Sequence, residues 1–147
     1  MSDPVLTFVL TVAGGVLILA LGRVFEKLII DPVHRLRSLV GEIEDVLAFH
    51  APFYASPGGS PTDEVEASAA LRAKATQLRA RRYAVVWYPL WAFLRLVPKQ
   101  RSVKEASKKL IGLSNAVHSG DAVENIEKAS QIRVLLRISP AEEADNL

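Results

Sequence analysis

The feature that most restricts this chain is a run of 18 residues near its start, residues 5–22, without a charged side chain. As an α-helix it would be roughly 27 Å long, close to the hydrocarbon thickness of a bilayer. A cleaved signal peptide would have basic residues before the apolar run, whereas Asp3 precedes this one and Arg23 and Lys27 follow it. A buried core helix of this length would usually show a polar face, and this run shows none. We therefore predict a transmembrane anchor within residues 1–30.

The orientation of the anchor follows from the charges at its two ends. Only Asp3 and the amino terminus precede it, whereas Arg23, Lys27, Arg35 and Arg37 follow within a short distance. Because basic residues near a transmembrane helix stay on the cytoplasmic side, we expect the N-terminus outside and the remainder of the chain in the cytoplasm.

Small residues mark one face of the predicted anchor. Thr7, Thr11, Gly15 and Gly22 are spaced by four and seven residues, which places them on one side of a helix. Such a face lets two helix backbones approach closely, and it predicts association with a second copy or a partner membrane protein. The alternative is that Gly and Thr are simply common in transmembrane helices.

A first amphipathic helix follows the anchor. Asp31 and Pro32 form a helix-start signal, which predicts a break or kink between anchor and domain. Pro52 is expected to end this helix, and residues 56–63 read as a loop. Its apolar stripe has the spacing of a helix face: Leu36, Leu39, Val40, Ile43, Val46, Leu47 and His50. The acidic residues beside the stripe are expected to be solvated: Glu42, Glu44 and Asp45.

A second helix is predicted from residue 61 to about residue 82, with acids in its first turns. Its apolar face consists mostly of small residues: Ala67, Ala70, Leu71, Ala75 and Leu78. Small side chains favour close packing, so we expect an antiparallel pair with the preceding helix.

A second apolar segment, residues 83–97, leaves two interpretations open. It contains Pro89 and is too short to span a bilayer easily. One interpretation is a helix or kinked hairpin on the inner leaflet, because aromatic and basic residues settle at lipid interfaces. The other is a core helix in which the aromatic residues pack internally. The candidate membrane-interface residues are Arg81, Arg82, Trp87, Tyr88, Trp91 and Arg95.

Two further helices complete the predicted domain. Ser102 and Glu105 have capping-box spacing, and Asp121 and Glu124 repeat it. Gly120 is a candidate C-cap between them. The first helix has an apolar face of Val103, Ala106, Leu110, Leu113 and Val117. The second is expected to turn Val123, Ile126, Ala129, Ile132 and Leu136 inward.

The predicted fold class is all-α, with one N-terminal transmembrane helix followed by a small cytoplasmic helical bundle. The expected domains are the anchor at residues 1–30, the helical domain at 31–138 and a flexible acidic tail at 139–147.

The sequence carries no recognisable catalytic motif. It has no cysteine, which excludes disulfides, thiolate metal sites and cysteine nucleophiles. Phosphate loops, nucleophile elbows and dinucleotide fingerprints are missing too, and the three histidines are far apart in sequence. The net charge of +2 does not argue for a nucleic-acid partner, although residues 61–101 alone carry +5. Next to a membrane segment, these basic residues favour anionic lipid headgroups. We expect no cofactor, no metal and no enzymatic activity.

Three stretches carry a resemblance to a family. They are LIIDPVHRLRSLVGEI at 28–43, FYASPG at 53–58 and LIGLSN at 110–115. In their order along the chain, these features resemble an uncharacterised family of small single-pass bacterial membrane proteins. The resemblance covers most of residues 5–138 and implies a bacterial inner-membrane location, but no activity and no site residues. In LIGLSN, Gly112, Ser114 and Asn115 suggest a helix contact.

These features predict a membrane-anchored helical scaffold or interaction module at the cytoplasmic face of the membrane. The expected partners are the lipid bilayer and either a second copy or a partner membrane protein. The alternative is an oligomeric membrane-perturbing or pore-forming effector that inserts residues 83–97.

Overall fold

The computed structural model describes residues 4–56, 60–118 and 120–138, and every regular element in them is helical. The all-α prediction is thus confirmed, and the predicted tail, residues 139–147, lies outside the described residues. The elements are α1 (Pro4–Phe25), a π-helical turn (Glu26–Ile30), α2 (Asp31–Phe49), α3 (Ala51–Ala55), α4 (Pro61–Ala84), α5 (Tyr88–Phe93), α6 (Gln100–Ala116) and α7 (Ala122–Leu136).

Of the predicted break or kink at Asp31 and Pro32, the break is wrong, because helix continues from Pro4 to Phe49. Proline lacks an N–H and its ring opposes the carbonyl four residues earlier, so it disturbs a regular α-helix. The wider π-turn immediately before Pro32 accommodates this disturbance, and the N–H of Asp31 donates to the carbonyl of Glu26 across it. Of α1 no residue is buried, and the helix contains one stretch long and apolar enough to cross a membrane.

Helices α2 and α4 form the predicted antiparallel pair. The Lys74 ammonium donates to the Glu42 carboxylate at 2.7 Å. About two helical turns further along α4, the Arg81 guanidinium donates to the Arg35 carbonyl. As the numbers rise along α4 they fall along α2, so the end of α4 lies beside the start of α2. The hydrogen bond from Lys74 lowers the pKa of Glu42.

Helices α6 and α7 extend the pair to an up-down-up-down bundle. The Ser68 hydroxyl donates to the Ser114 carbonyl at 2.8 Å and the Ser107 hydroxyl to the Ala75 carbonyl at 3.0 Å, so α6 runs antiparallel to α4. Helix α7 then returns along α6. The expected helix contact at LIGLSN is confirmed for Ser114 and Asn115, which accept from Ser68 and Arg72 of α4, but not for Gly112, which has open space around it.

Two of the acidic residues predicted to form a solvated face of α2 form ion pairs with neighbouring helices, while their side chains stay partly exposed. Glu42 pairs with Lys74 of α4, and Glu44 accepts both bonds from the Arg133 guanidinium of α7 at 2.8 and 3.0 Å. These residues lie at the edges of the apolar stripe, where a neighbouring helix comes within reach. They therefore tie α2 to both of its neighbours.

The predicted apolar faces of α2, α4 and α6 form the core, but the face of α7 differs. Val123 and Ile126 are exposed, whereas Asn125 is fully buried. The Asn125 amide donates to the carbonyls of Tyr54 and Ala116, which turns the first part of α7 so that this polar side chain points inward. These bonds offset part of the desolvation cost of burying the amide, although its Oδ1 is buried without a hydrogen-bond partner among the described residues.

Of the two predicted N-caps, Asp121 is confirmed and Ser102 is wrong. The Asp121 carboxylate accepts from the Val123 N–H at 2.8 Å and caps α7 as expected. In contrast, α6 begins at Gln100, so Ser102 lies inside the helix and its predicted capping box does not form. Gly120 follows α6 where a Cβ atom would lie only 2.6 Å from the Ala116 carbonyl oxygen, which explains a glycine there.

Candidate membrane-facing site

One end of the bundle is continuous with α1, and we refer to it as the α1 end. The alternating helix directions bring four termini there: the start of α2, the end of α4, the start of α6 and the end of α7. The segment between α4 and α6, residues 85–99, therefore lies at the α1 end as well. We call this segment the connector.

Four buried residues attach the connector to the core: Val85, Tyr88, Val97 and Pro98. The Tyr88 hydroxyl donates to the Pro98 carbonyl at 2.7 Å, and burial raises the pKa of Tyr88 to about 12. The prediction that Tyr88 is a membrane-interface residue is therefore wrong. Its ring packs inside the bundle because its hydroxyl finds a partner there.

The raised pKa of Tyr88 makes bundle stability depend on alkaline pH. The neutral phenol favours the folded state fully below pH 10, and this contribution is lost as the pH rises through about 12. We expect the unfolding free energy to fall by up to about 3 kcal/mol over that interval. Tyr88→Phe should lose about 1 kcal/mol at neutral pH but show a flatter alkaline profile, measured by chemical denaturation in detergent. Parallel profiles for both proteins would contradict this assignment.

The rest of the connector exposes a group of apolar side chains. Phe93 is 83% exposed and Trp87 is 63% exposed, values more typical of charged residues. The group consists of Val86, Trp87, Leu90, Phe93, Leu94 and Leu96. Exposed apolar side chains are common singly, but a contiguous group of this kind marks an interaction surface. Helix α5, with six residues, is too short to cross a bilayer.

Two connector residues have left-handed backbones without being glycine. Trp87 has φ 53° and Arg95 has φ 59°. This conformation costs an L-residue about 1–2 kcal/mol, and such outliers concentrate at functional sites. At Trp87 the conformation places a large ring at the surface.

Trp91, within the connector, is half-buried and lies beside the start of α2. Its indole N–H donates to the Val86 carbonyl at 3.0 Å. It lines a mostly apolar cleft of about 200 Å³, which we call the apolar cleft, together with Ile30, Val33, His34, Arg37 and Leu96. The cleft therefore lies between the connector and the residues that follow α1, Ile30 and Val33.

The basic candidates at the end of α4 have different surroundings. Arg81 is held by its bond to the Arg35 carbonyl, whereas Arg82 lies 4.4 Å above the Tyr83 ring. Such a stack keeps a guanidinium charged next to an aromatic surface. Arg82 also lines a basic cleft between α4 and α6, with Arg79, Lys104 and Lys108.

A cleft with three arginines was not foreseen from the sequence. Arg37 of α2, Arg95 of the connector and Arg137 at the end of α7 line a cleft of about 270 Å³. They are 58 and 42 residues apart, so no local pattern could bring them together. Of the three, only Arg95 was a candidate beforehand.

The small-residue face of α1 lies in the open. Thr7, Thr11, Gly15 and Gly22 share one side of the helix, and the Thr11 hydroxyl donates to the Thr7 carbonyl at 2.8 Å. A Cβ atom at either glycine would meet nothing within 4 Å. Association through this face stays a prediction.

No group of three His, Cys, Asp or Glu side chains within the described ranges is placed to hold a metal ion. Comparison with protein-family models, with curated proteins and with solved structures found no match.

Proposed function

We propose that this chain is a single-pass membrane protein whose helical bundle rests on the cytoplasmic leaflet of a bacterial inner membrane and acts there as a non-enzymatic interaction module. Helix α1 supplies an uncharged apolar run of membrane-spanning length. The basic residues that follow it favour a cytoplasmic bundle by the positive-inside rule.

One observation carries the proposal: the exposed apolar residues of the connector lie at the α1 end. If α1 spans a bilayer, the end of the bundle that continues from it faces the headgroups. Exposed Trp87 and Phe93 are then next to lipid, where their burial is favourable. Arg81 and Arg82 lie in the last turn of α4, just before the connector, where basic residues favour anionic headgroups.

Tryptophan fluorescence provides a direct test, because Trp87 and Trp91 are the only tryptophans in the chain. The full-length Trp91→Phe variant, reconstituted in bilayers, retains Trp87 as its single fluorophore. We expect strong quenching by brominated lipids and weak quenching by aqueous acrylamide. The control probe is Phe49→Trp in a chain that also carries Trp87→Phe and Trp91→Phe, since Phe49 is exposed at the opposite end of the bundle. If both probes respond alike, the connector does not contact lipid.

Cysteine labelling tests the orientation without interference, since the chain has no native cysteine. In intact bacterial cells a membrane-impermeant maleimide should label Ser2→Cys but not Thr62→Cys, an exposed position at the start of α4. Labelling of Thr62→Cys should appear only after permeabilisation. Labelling of Thr62→Cys in intact cells would contradict the proposed orientation and indicate the reverse one.

The end opposite α1 is available for a partner. Phe49, Val65 and Val123 are exposed there, at the end of α2 and the starts of α4 and α7. Crosslinking in membranes, followed by detergent extraction and mass identification, should recover either a second copy or another protein. Recovery of uncrosslinked monomer alone would contradict the interaction module. The burial of Val85, Tyr88 and Val97 favours the interaction module over the alternative of a pore-forming effector that inserts residues 83–97.

A further inference from the structure

We propose that Arg37, Arg95 and Arg137 bind the phosphate of one anionic phospholipid, whose acyl chain lies in the adjacent apolar cleft. The inference rests on the proposed function, because it requires the α1 end to face a bilayer. It adds a ligand class and a defined site to that function.

Among the residues that the structure describes, no acidic side chain compensates the charge of the arginine cleft. None of the three guanidinium groups forms an ion pair with the described residues, and no acidic side chain lines the cleft. By contrast, Arg133, one turn before Arg137, is paired with Glu44. Three arginines in one cleft repel each other, and a bound anion relieves this repulsion while accepting their charge-assisted hydrogen bonds.

The backbone supports a role for the side chains. Arg95 and Arg137 both have left-handed conformations, with φ 59° and 58°, within two residues of a helix C-terminus. Glycine is the residue that usually occupies such a position, because it adopts this conformation without strain. A cation also suits a helix C-terminus electrostatically. That explanation does not extend to Arg37, which lies two turns inside α2 and lines the same cleft.

The neighbouring surface favours a lipid over a soluble phosphate. The arginine cleft and the apolar cleft share Arg37 and Leu96, so one ligand can occupy both. The apolar cleft includes Ile30, the last residue before α2, and half-buried Trp91. A headgroup without an ammonium group fits best, since an added cation would face three arginines. Phosphatidylglycerol and cardiolipin are such lipids, and phosphatidylethanolamine is not.

Lipid retention by the full-length protein tests the site. Protein extracted from phosphatidylethanolamine–phosphatidylglycerol bilayers into non-ionic detergent is washed, and its retained lipid is identified by mass spectrometry. We expect about one phosphatidylglycerol per chain, and an affinity at least about tenfold lower after Arg37→Gln, Arg95→Gln and Arg137→Gln together. The matched control is Arg79→Gln, Lys104→Gln and Lys108→Gln, which removes the same charge from the α4–α6 cleft. Equal losses in both triple variants would show diffuse attraction and overturn the site.

Two glycine substitutions separate binding from folding. Arg95→Gly and Arg137→Gly relieve the left-handed strain, so we expect a higher Tm together with weaker lipid retention. Unchanged lipid retention in this pair would overturn the proposal even if the triple glutamine variant fails to fold. Displacement of the lipid by millimolar inorganic phosphate, with no preference among lipids, would identify a soluble anion as the ligand and also overturn it. If the protein shows no preference for phosphatidylglycerol while brominated lipids still quench Trp87, the lipid site is overturned but the proposed function is not.

Discussion

Replacing Leu110 with alanine is expected to lower the unfolding free energy of the bundle by about 3–5 kcal/mol. Leu110 is fully buried on α6, the helix that packs against both α4 and α7. The substitution removes buried apolar surface and leaves a cavity that the surrounding helices fill only partly. Denaturant titration of the full chain in detergent, followed by circular dichroism, measures the change.

The controls for this prediction come from α7. Val123→Ala and Ile126→Ala are expected to change stability by less than about 0.5 kcal/mol, because both side chains are exposed. The sequence pattern alone predicts large losses at these two positions. A loss above about 2 kcal/mol at either would show that the helix turns its apolar residues inward after all.

Replacing Phe93 with aspartate should release the connector from the bilayer surface. Phe93 is the most exposed large apolar residue of the connector, at 83%. Moving its ring from lipid to water costs about 1.5–3 kcal/mol, and the new carboxylate opposes return to an anionic surface. We expect about a 100-fold shift of the connector towards water, read as Trp87 fluorescence that loses lipid quenching and gains acrylamide quenching.

The matched variant is Phe49→Asp, which introduces the same charge at a ring that is 73% exposed at the opposite end. It should leave the Trp87 signal unchanged. Both variants should retain the stability of the parent chain, since neither ring is buried. A similar effect of the two would mean that net charge, and not contact between the connector and lipid, determines the signal.

The limits of prediction from sequence are clearest in the two apolar segments. Residues 5–22 could be interpreted from length and charge alone, because membrane spanning depends on properties local to the helix. Residues 83–97 left two interpretations open, and the structure buries some residues of this segment and exposes others. Tyr88 is buried and Trp87 is exposed, although they are adjacent and both aromatic. Which of them packs inside depends on the position of Pro98, whose carbonyl accepts from Tyr88.

The same distinction holds for the charged residues. Asp121 was predictable as a cap because its partner lies two residues away. The pairing of Glu44 with Arg133 joins residues 89 apart and depends on the packing of α7 against α2. The arginine cleft combines three distant elements in the same way.

By itself, the sequence determined the helical class, the apolar run of α1, its basic flank and the core faces of α2, α4 and α6. Each of these depends on periodicity or charge within a few turns of helix. Only the tertiary structure decided that helix continues through Pro32, that Val123 and Ile126 are exposed, and that the connector lies beside the start of α2. These properties follow from the directions in which helices pack, and packing depends on side chains that are far apart along the chain.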